Sequence, residues 1–286
     1  MGRYLNYAKL HFGTDTRGLL EGGRYALLHT RTMEFDELRP YDRGDDVRDI
    51  DWKASARSGT VLTKRFVSEK HHKVLLVADA GRNMSALAPS GEPKRDIAVA
   101  VMGAIGLITL GRLDEIGMVY GDARGSTNIP NRRGETHIES LLDRFYRHVS
   151  GRPGRSDIVT QLRYVAAGHR RRLLIVVVSD EPDVDDRLCD VLQRLSGRHD
   201  VMWAMVSDMP AAGSRDGYDV ADGQFVLGAA AADRRVMTAY RRAERARAAR
   251  LHELLTGCAI PYVKIRGSNE IRPMTVDMTQ AAGHVG

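Results

Sequence analysis

Two aspartates stand where carboxylates can act together. Asp79 closes the short apolar run Val74–Ala78, and Asp180 follows the stronger run Leu173–Val178 after a single serine. Continuous apolar runs of this length, bounded by turn residues, predict buried parallel strands. In a doubly wound sheet the carboxyl ends of the strands open onto the ligand crevice. A pair of aspartates there offers hard oxygen donors of the kind Mg2+ takes in its near-octahedral shell. Each residue also has a plainer structural reading. Asp79 can cap the loop into the next helix, and Asp180 with Pro182 is ordinary turn chemistry. An Mg2+-dependent hydrolase or phosphoryl-transfer enzyme at these residues would further need a nucleophile or base and a phosphate-binding loop. The sequence shows neither: it has no G-x-S-x-G, P-loop or G-x-G-x-x-G, and Asp79-Ala80-Gly81 lacks the second aspartate of a D-x-D loop.

The elements that must position these residues alternate along the chain. Pro93–Leu110 reads as a helix with proline at its start and Gly111 at its end. Ile116–Tyr120 is a strand, and Gly125–Pro130 returns antiparallel after the Gly121-Asp122 turn. Glu135–Val149 is amphipathic, with Ile138, Leu141, Leu142, Phe145 and Val149 on one face, and Asp157–Ala167 is another short helix. After the Leu173–Val178 strand come a helix through Leu188, Val191, Leu192 and Leu195, then strands at Asp200–Val206 and Gln224–Leu227. A long basic helix and a last strand, Ala259–Ile265, complete the series. The expectation is an α/β fold: a doubly wound, mostly parallel sheet with right-handed crossovers.

Composition bounds the function. The chain has 286 residues, 43% of them apolar, enough for a substantial core. Cys189 and Cys258 lack metal spacing and read as buried free thiols in a reducing compartment. No apolar leader opens the sequence, and Ile97–Leu110 is too short to span a bilayer, so a cytoplasmic protein without membrane insertion is expected. The formal charge of +6 is modest. The arginines of 234–250 ride over Val236, Tyr240, Ala243, Leu251 and Leu254, which suits an amphipathic helix with a wet basic face. Nucleic-acid binding through that helix is the minor alternative, because no stacking aromatics or recognised module accompany the charge. Arg43-Gly44-Asp45 is a chance tripeptide, and His252-Glu253 lacks the second histidine of a zinc helix.

One segment fits no periodic pattern. Phe35–Asp51, F-D-E-L-R-P-Y-D-R-G-D-D-V-R-D-I-D, is dense in acids and arginines, and Trp52 follows directly. It requires an irregular loop closed by Pro40 and Gly44, with Phe35 and Trp52 as buried anchors. Pairing among Asp45, Asp46, Arg48, Asp51 and Arg57 would hold it, and any exposed subset would offer a docking surface.

Taken as Glu34–Arg57, this block is the signature of the "domain of unknown function 58" family, and Lys64-Arg65-Phe66 and Glu69 continue it. The chain resembles that family over roughly residues 17–266. The resemblance implies a von Willebrand factor A-type domain over 73–266, preceded by an N-terminal extension, 1–72, and followed by a loosely ordered tail, 267–286. It also implies a metal-ion-dependent adhesion site built on D-x-S-x-S, a threonine from a later loop and an aspartate after the fourth strand. Carried over, these positions are Asp79, Gly81, Asn83, Ser156 and Asp180, with Gly81 and Asn83 in place of the two serines. Ser156 also reads as the N-cap of the helix beginning at Asp157. Asp79, Asn83, Ser156 and Asp180 would hold Mg2+ thinly, and Arg82 is near enough in sequence to supply an internal countercharge instead. The resemblance further implies a non-enzymatic, chaperone-like binding module in bacteria, with a MoxR-type AAA+ ATPase or its client as partner. Gly81, Arg82, Asp45, Asp46 and Arg48 are the candidate contact residues. Family members often carry two N-terminal membrane helices, which are not expected here.

Overall fold

A computed structural model describes residues 2–13, 33–42, 45, 47–68, 73–210, 217–220, 224–226 and 234–273. The chain divides into two compact units, one formed by Met1–Leu28 with Lys73–Gly286 and the other by His29–His72. In chain order the elements are α1 (Arg3–Phe12), β1 (Met33–Pro40), α2 (Trp52–Ser58), β2 (Leu62–Ser68), β3 (Lys73–Asp79), α3 (Lys94–Arg112), β4 (Glu115–Asp122), β5 (Gly125–Arg132), α4 (Glu135–Ser150), α5 (Ile158–Gly168), β6 (Leu174–Ser179), α6 (Asp186–Ser196), β7 (Asp200–Val206), β8 (Gly217–Asp219), β9 (Gln224–Val226), α7 (Arg234–Gly257) and β10 (Tyr262–Ile265).

The larger unit is built on a six-stranded sheet in the order β10-β7-β6-β3-β4-β5. All neighbours are parallel except β4 and β5, which form the expected antiparallel return. This is the doubly wound α/β sheet implied by the alternating pattern. Side chains alternate across each strand and so feed two separate cores. Val74, Leu76 and Ala78 of β3 join the face covered by α1, α3 and α4. Leu75 and Val77 join the opposite face, with residues of α5, α6 and the end of α7. Burial on both faces explains why β3 and β6 read as unbroken apolar runs.

α3 lies deepest on the first face, and its glycines set the packing distance. A Cβ on Gly103 would fall 2.5 Å from the Cβ of Ala8 in α1, and one on Gly106 would fall 2.6 Å from Ile138 in α4. The helix runs past Gly111 to Arg112 and is capped by Leu113, which takes the left-handed conformation (φ 62°) that a terminal glycine usually supplies.

α1 departs from the expected boundary at residue 72. It buries Tyr4, Leu5, Ala8 and Phe12 and groups with the sheet unit. Its free N-terminal amides are satisfied by α4, where the Glu139 carboxylate accepts from the N–H groups of Tyr4 (2.8 Å) and Leu5 (3.0 Å). At the other end, Ser268 and Ile271 are buried, so the segment after Arg266 is seated on the domain at least that far. Residues 274–286 lie outside the described residues.

The smaller unit pairs β1 with β2 antiparallel, with a register shift between Phe35 and Glu37. Asp51 caps α2, accepting from the Ala54 N–H at 2.9 Å, and Ser55 Oγ accepts from the Leu62 N–H at 2.8 Å. Trp52 is not the expected buried anchor. It is 65% exposed, because it begins a short helix whose buried residue is Ala54. The side chain of Phe35 lies outside the described residues.

Two further expectations shift. α7 fully buries only Leu251 and Leu255; Tyr240 is half-buried, and Val236 and Ala243 face solvent. Cys189 and Cys258 are free thiols but half-buried, not buried. Among the described residues no helix is long and apolar enough to cross a membrane.

Candidate functional site

β3 and β6 are neighbours in parallel register, Ala78 beside Val178, so Asp79 and Asp180 emerge side by side at the carboxyl edge. Asp79 is buried, and its Oδ1 accepts the Gly81 N–H at 2.8 Å, folding the following loop back over the strand end. Asp180 is held from beneath. The fully buried Trp203 of β7 donates Nε1–H to Ser179 Oγ at 2.9 Å, and that hydroxyl donates to the Asp180 carbonyl at 2.6 Å.

Asn83, in a short 3-10 turn over Arg82–Ser85, links the remaining candidates. Its side-chain amide donates to Asp180 Oδ2 at 2.8 Å, and its backbone N–H donates to Ser156 Oγ at 3.2 Å. Asp79, Gly81, Asn83, Ser156 and Asp180 therefore meet at one place, from three separate stretches of chain. Ser156 does not cap α5 with its hydroxyl. Asp157 stands at that cap, and its side chain accepts from Thr160 Oγ1 and Arg187 instead.

The glycine at 81 is enforced by its surroundings. A Cβ there would lie 2.4 Å from both Cα and Oγ of Ser156. The loop that brings Ser156 so close is anchored by Asp122, the last residue of β4. Its buried carboxylate accepts from the N–H of Gly154 (2.7 Å), from Arg124 Nη2 (2.6 Å) and from His148 Nε2 (3.1 Å). Burial raises the pKa of Asp122, but hydrogen bonds from the Arg124 side chain, the Gly154 and Arg124 backbone and His148 outweigh it and hold the carboxyl well below the usual range. The sequence marks Asp122 only as part of a turn.

Lys94 is the residue that sequence reasoning missed most completely. It opens α3, is fully buried, and places Nζ 3.7 Å from Asp180 Oδ2. The same ammonium hydrogen-bonds Asp208 Oδ1, beyond the end of β7. A signal existed: a lysine in the first turn of a helix opposes the helix dipole, so it needs a nearby anion. Arg82, proposed above as the internal countercharge, is instead exposed, and its backbone N–H donates to the Gly154 carbonyl at 2.9 Å.

The charge balance is tight. Burial, and then the nearby Asp180 charge, push the pKa of Asp79 up to about 7, against the opposing Gly81 hydrogen bond, the nearby Ser156 hydroxyl and Lys94. Among the described residues, two buried oxygens of this site, Asp79 Oδ2 and Asn83 Oδ1, have no hydrogen-bond partner. These are the atoms a cation would claim, yet the donor set does not fit Mg2+. Gly81 supplies no oxygen and has no room for one, Asn83 spends its N–H on Asp180, and Asp180 already faces an ammonium. Among the described residues no group of three His, Cys, Asp or Glu side chains is arranged to hold a metal.

The candidate contacts in the smaller unit are less fully defined. Asp45 pairs with Arg39 and accepts the Asp42 N–H at 3.0 Å, and Arg57 donates to the Lys53 carbonyl. These bonds are internal to the unit and stabilise its loop. Asp46 and the side chain of Arg48 lie outside the described residues.

A family model described as "Protein of unknown function DUF58" matches residues 37–250. The chain belongs to the DUF58 family. Uncharacterized protein Rv1480 of Mycobacterium tuberculosis and uncharacterized protein Mb1516 of Mycobacterium bovis are each 26% identical over 255 residues, spanning 87% of this chain and 79% of theirs. Among solved structures, this DUF58 chain is similar to an aerotolerance-related membrane protein from Bacteroides fragilis carrying multiple mutations to serine. That match has a TM-score of 0.46 and 16% identity, covering 74% of this chain and 99% of the other. A von Willebrand factor type A protein from Catenulispora acidiphila matches with a TM-score of 0.43 and 10% identity, over 78% and 44% of the two chains.

Proposed function

We propose that this DUF58 chain is a non-enzymatic protein-binding module that engages an acidic partner surface through the loops at the carboxyl edge of its sheet. The partner implied by the family resemblance is a MoxR-type AAA+ ATPase or the client it handles, in chaperone-like assembly or maturation. The supporting observation is the separation of charge at that edge. The acids Asp79, Asp122 and Asp180 are buried and bonded inward, whereas Arg82, Arg152 and Arg155 are exposed above them. The loops carrying these arginines are tied together: Arg82 N–H to the Gly154 carbonyl (2.9 Å), Ala123 N–H to the Arg155 carbonyl (2.9 Å) and Arg124 Nη2 to the Arg152 carbonyl (3.0 Å). Arginines on a braced rim lose little freedom when they grip carboxylates, and each such contact is charge-assisted.

The test is a charge reversal that leaves the buried acids untouched. Arg82→Glu with Arg155→Glu should abolish co-purification of an AAA+ ATPase from native cells while the thermal melt stays unchanged. Unchanged capture, or strongly salt-dependent binding of the wild type to any DNA duplex, would remove the reading.

A further inference from the structure

We infer that Lys94 is the resident cation of this site, its ammonium standing in for a divalent ion between Asp180 at the end of β6 and Asp208 beyond β7. The inference does not depend on the partner proposed above. Burying an ammonium costs several kcal/mol unless anions repay it. Lys94 is fully buried, in the first helical turn where the backbone dipole also disfavours positive charge, yet it stays there. It is held by a hydrogen bond to Asp208 and by the Asp180 carboxylate 3.7 Å away.

The rest of the cluster is arranged around a cation already supplied from within. Asn83 turns its N–H, not its oxygen, toward Asp180, and the Ser156 loop closes on Gly81 until no side chain fits between them. A divalent ion bound to Asp180 would meet a fixed positive charge across a few ångströms of buried space, where repulsion is poorly screened. Lys94 thus ties α3 to the ends of β6 and β7 and makes the loop geometry independent of metal supply.

Mn2+ is the probe, because its paramagnetism reports binding directly. The full-length wild-type chain should show no bound Mn2+ by electron paramagnetic resonance, and no Mg2+-dependent shift of its melt, at roughly millimolar metal. Lys94→Met keeps the length of the side chain but leaves Asp180 and Asp208 without a cation. It should melt lower in chelator, recover with Mg2+ or Mn2+, and bind Mn2+ about tenfold or more tightly than wild type. Lys94→Arg should keep the wild-type indifference to metal. Wild-type Mn2+ binding that disappears in Asp180→Asn would overturn the inference and needs no Lys94 variant to be interpretable. So would a Lys94→Met protein that melts like wild type and ignores Mn2+.

Discussion

Gly81 and Ser156 approach so closely that a Cβ on the glycine would fall 2.4 Å from the Cα of the serine. Placing a serine at 81, as the D-x-S-x-S pattern asks, therefore forces the two loops apart and does not complete a metal shell. Gly81→Ser should cost about 1–3 kcal/mol, the usual penalty for overpacking. Urea unfolding with and without Mg2+ checks this: the variant should be weaker in both, with no added metal response. A Gly81→Ser protein that gains Mg2+-dependent stability would refute the steric argument.

Asp79 and Asp122 should give opposite pH signatures. The pKa of Asp79 is raised to about 7 by burial and by Asp180, against about 4 in an unfolded chain. The folded protein therefore holds the extra proton between these values, and this contribution to stability falls as pH rises through that window. Asp79→Asn should flatten that decline, so its stability relative to wild type improves from pH 5 to pH 8 by up to a few kcal/mol, at about 1.4 kcal/mol per pKa unit. For Asp122 the folded pKa is depressed, so its contribution is complete above the unfolded value and lost as pH falls into the acid range. Asp122→Asn should cost stability at neutral pH and make the acid limb shallower. Urea midpoints across pH, read for both variants, separate the two.

Gly103 controls how closely α1 docks. Its missing side chain admits the Cβ of Ala8 to within 2.5 Å of where its own would lie. Gly103→Val should destabilise by about 1–3 kcal/mol and raise hydrogen exchange selectively across Tyr4–Phe12. Unaltered protection there would show that α1 is not held by this contact.

Much of the larger unit is legible because its central strands are buried on both faces, and β6 announces itself as an unbroken run of Leu, Ile and Val. The meeting of Asp79 with Asp180 followed from strand ends alone. Other features were not readable, for identifiable reasons. α1 spreads Tyr4, Leu5, Ala8 and Phe12 over ten residues and draws its cap from Glu139, far along the chain. Lys94 pairs with Asp180 and Asp208, and no local spacing reveals such partners. Trp52 looked like an anchor because indoles usually are, but the burial of one ring depends on what packs over it, which its neighbours in sequence do not specify.

α7 is buried most deeply at its C-terminal end. Leu251 and Leu255 seat its final turns, and Arg247 Nη1 donates to the Glu181 carbonyl at 3.1 Å. Glu181 directly follows Asp180 and is gripped again by Lys264 Nζ at 2.5 Å. A load on the outer turns of this helix is thus passed to a residue next to the sheet-end carboxylates, so pulling by another molecule would be felt where the loops meet.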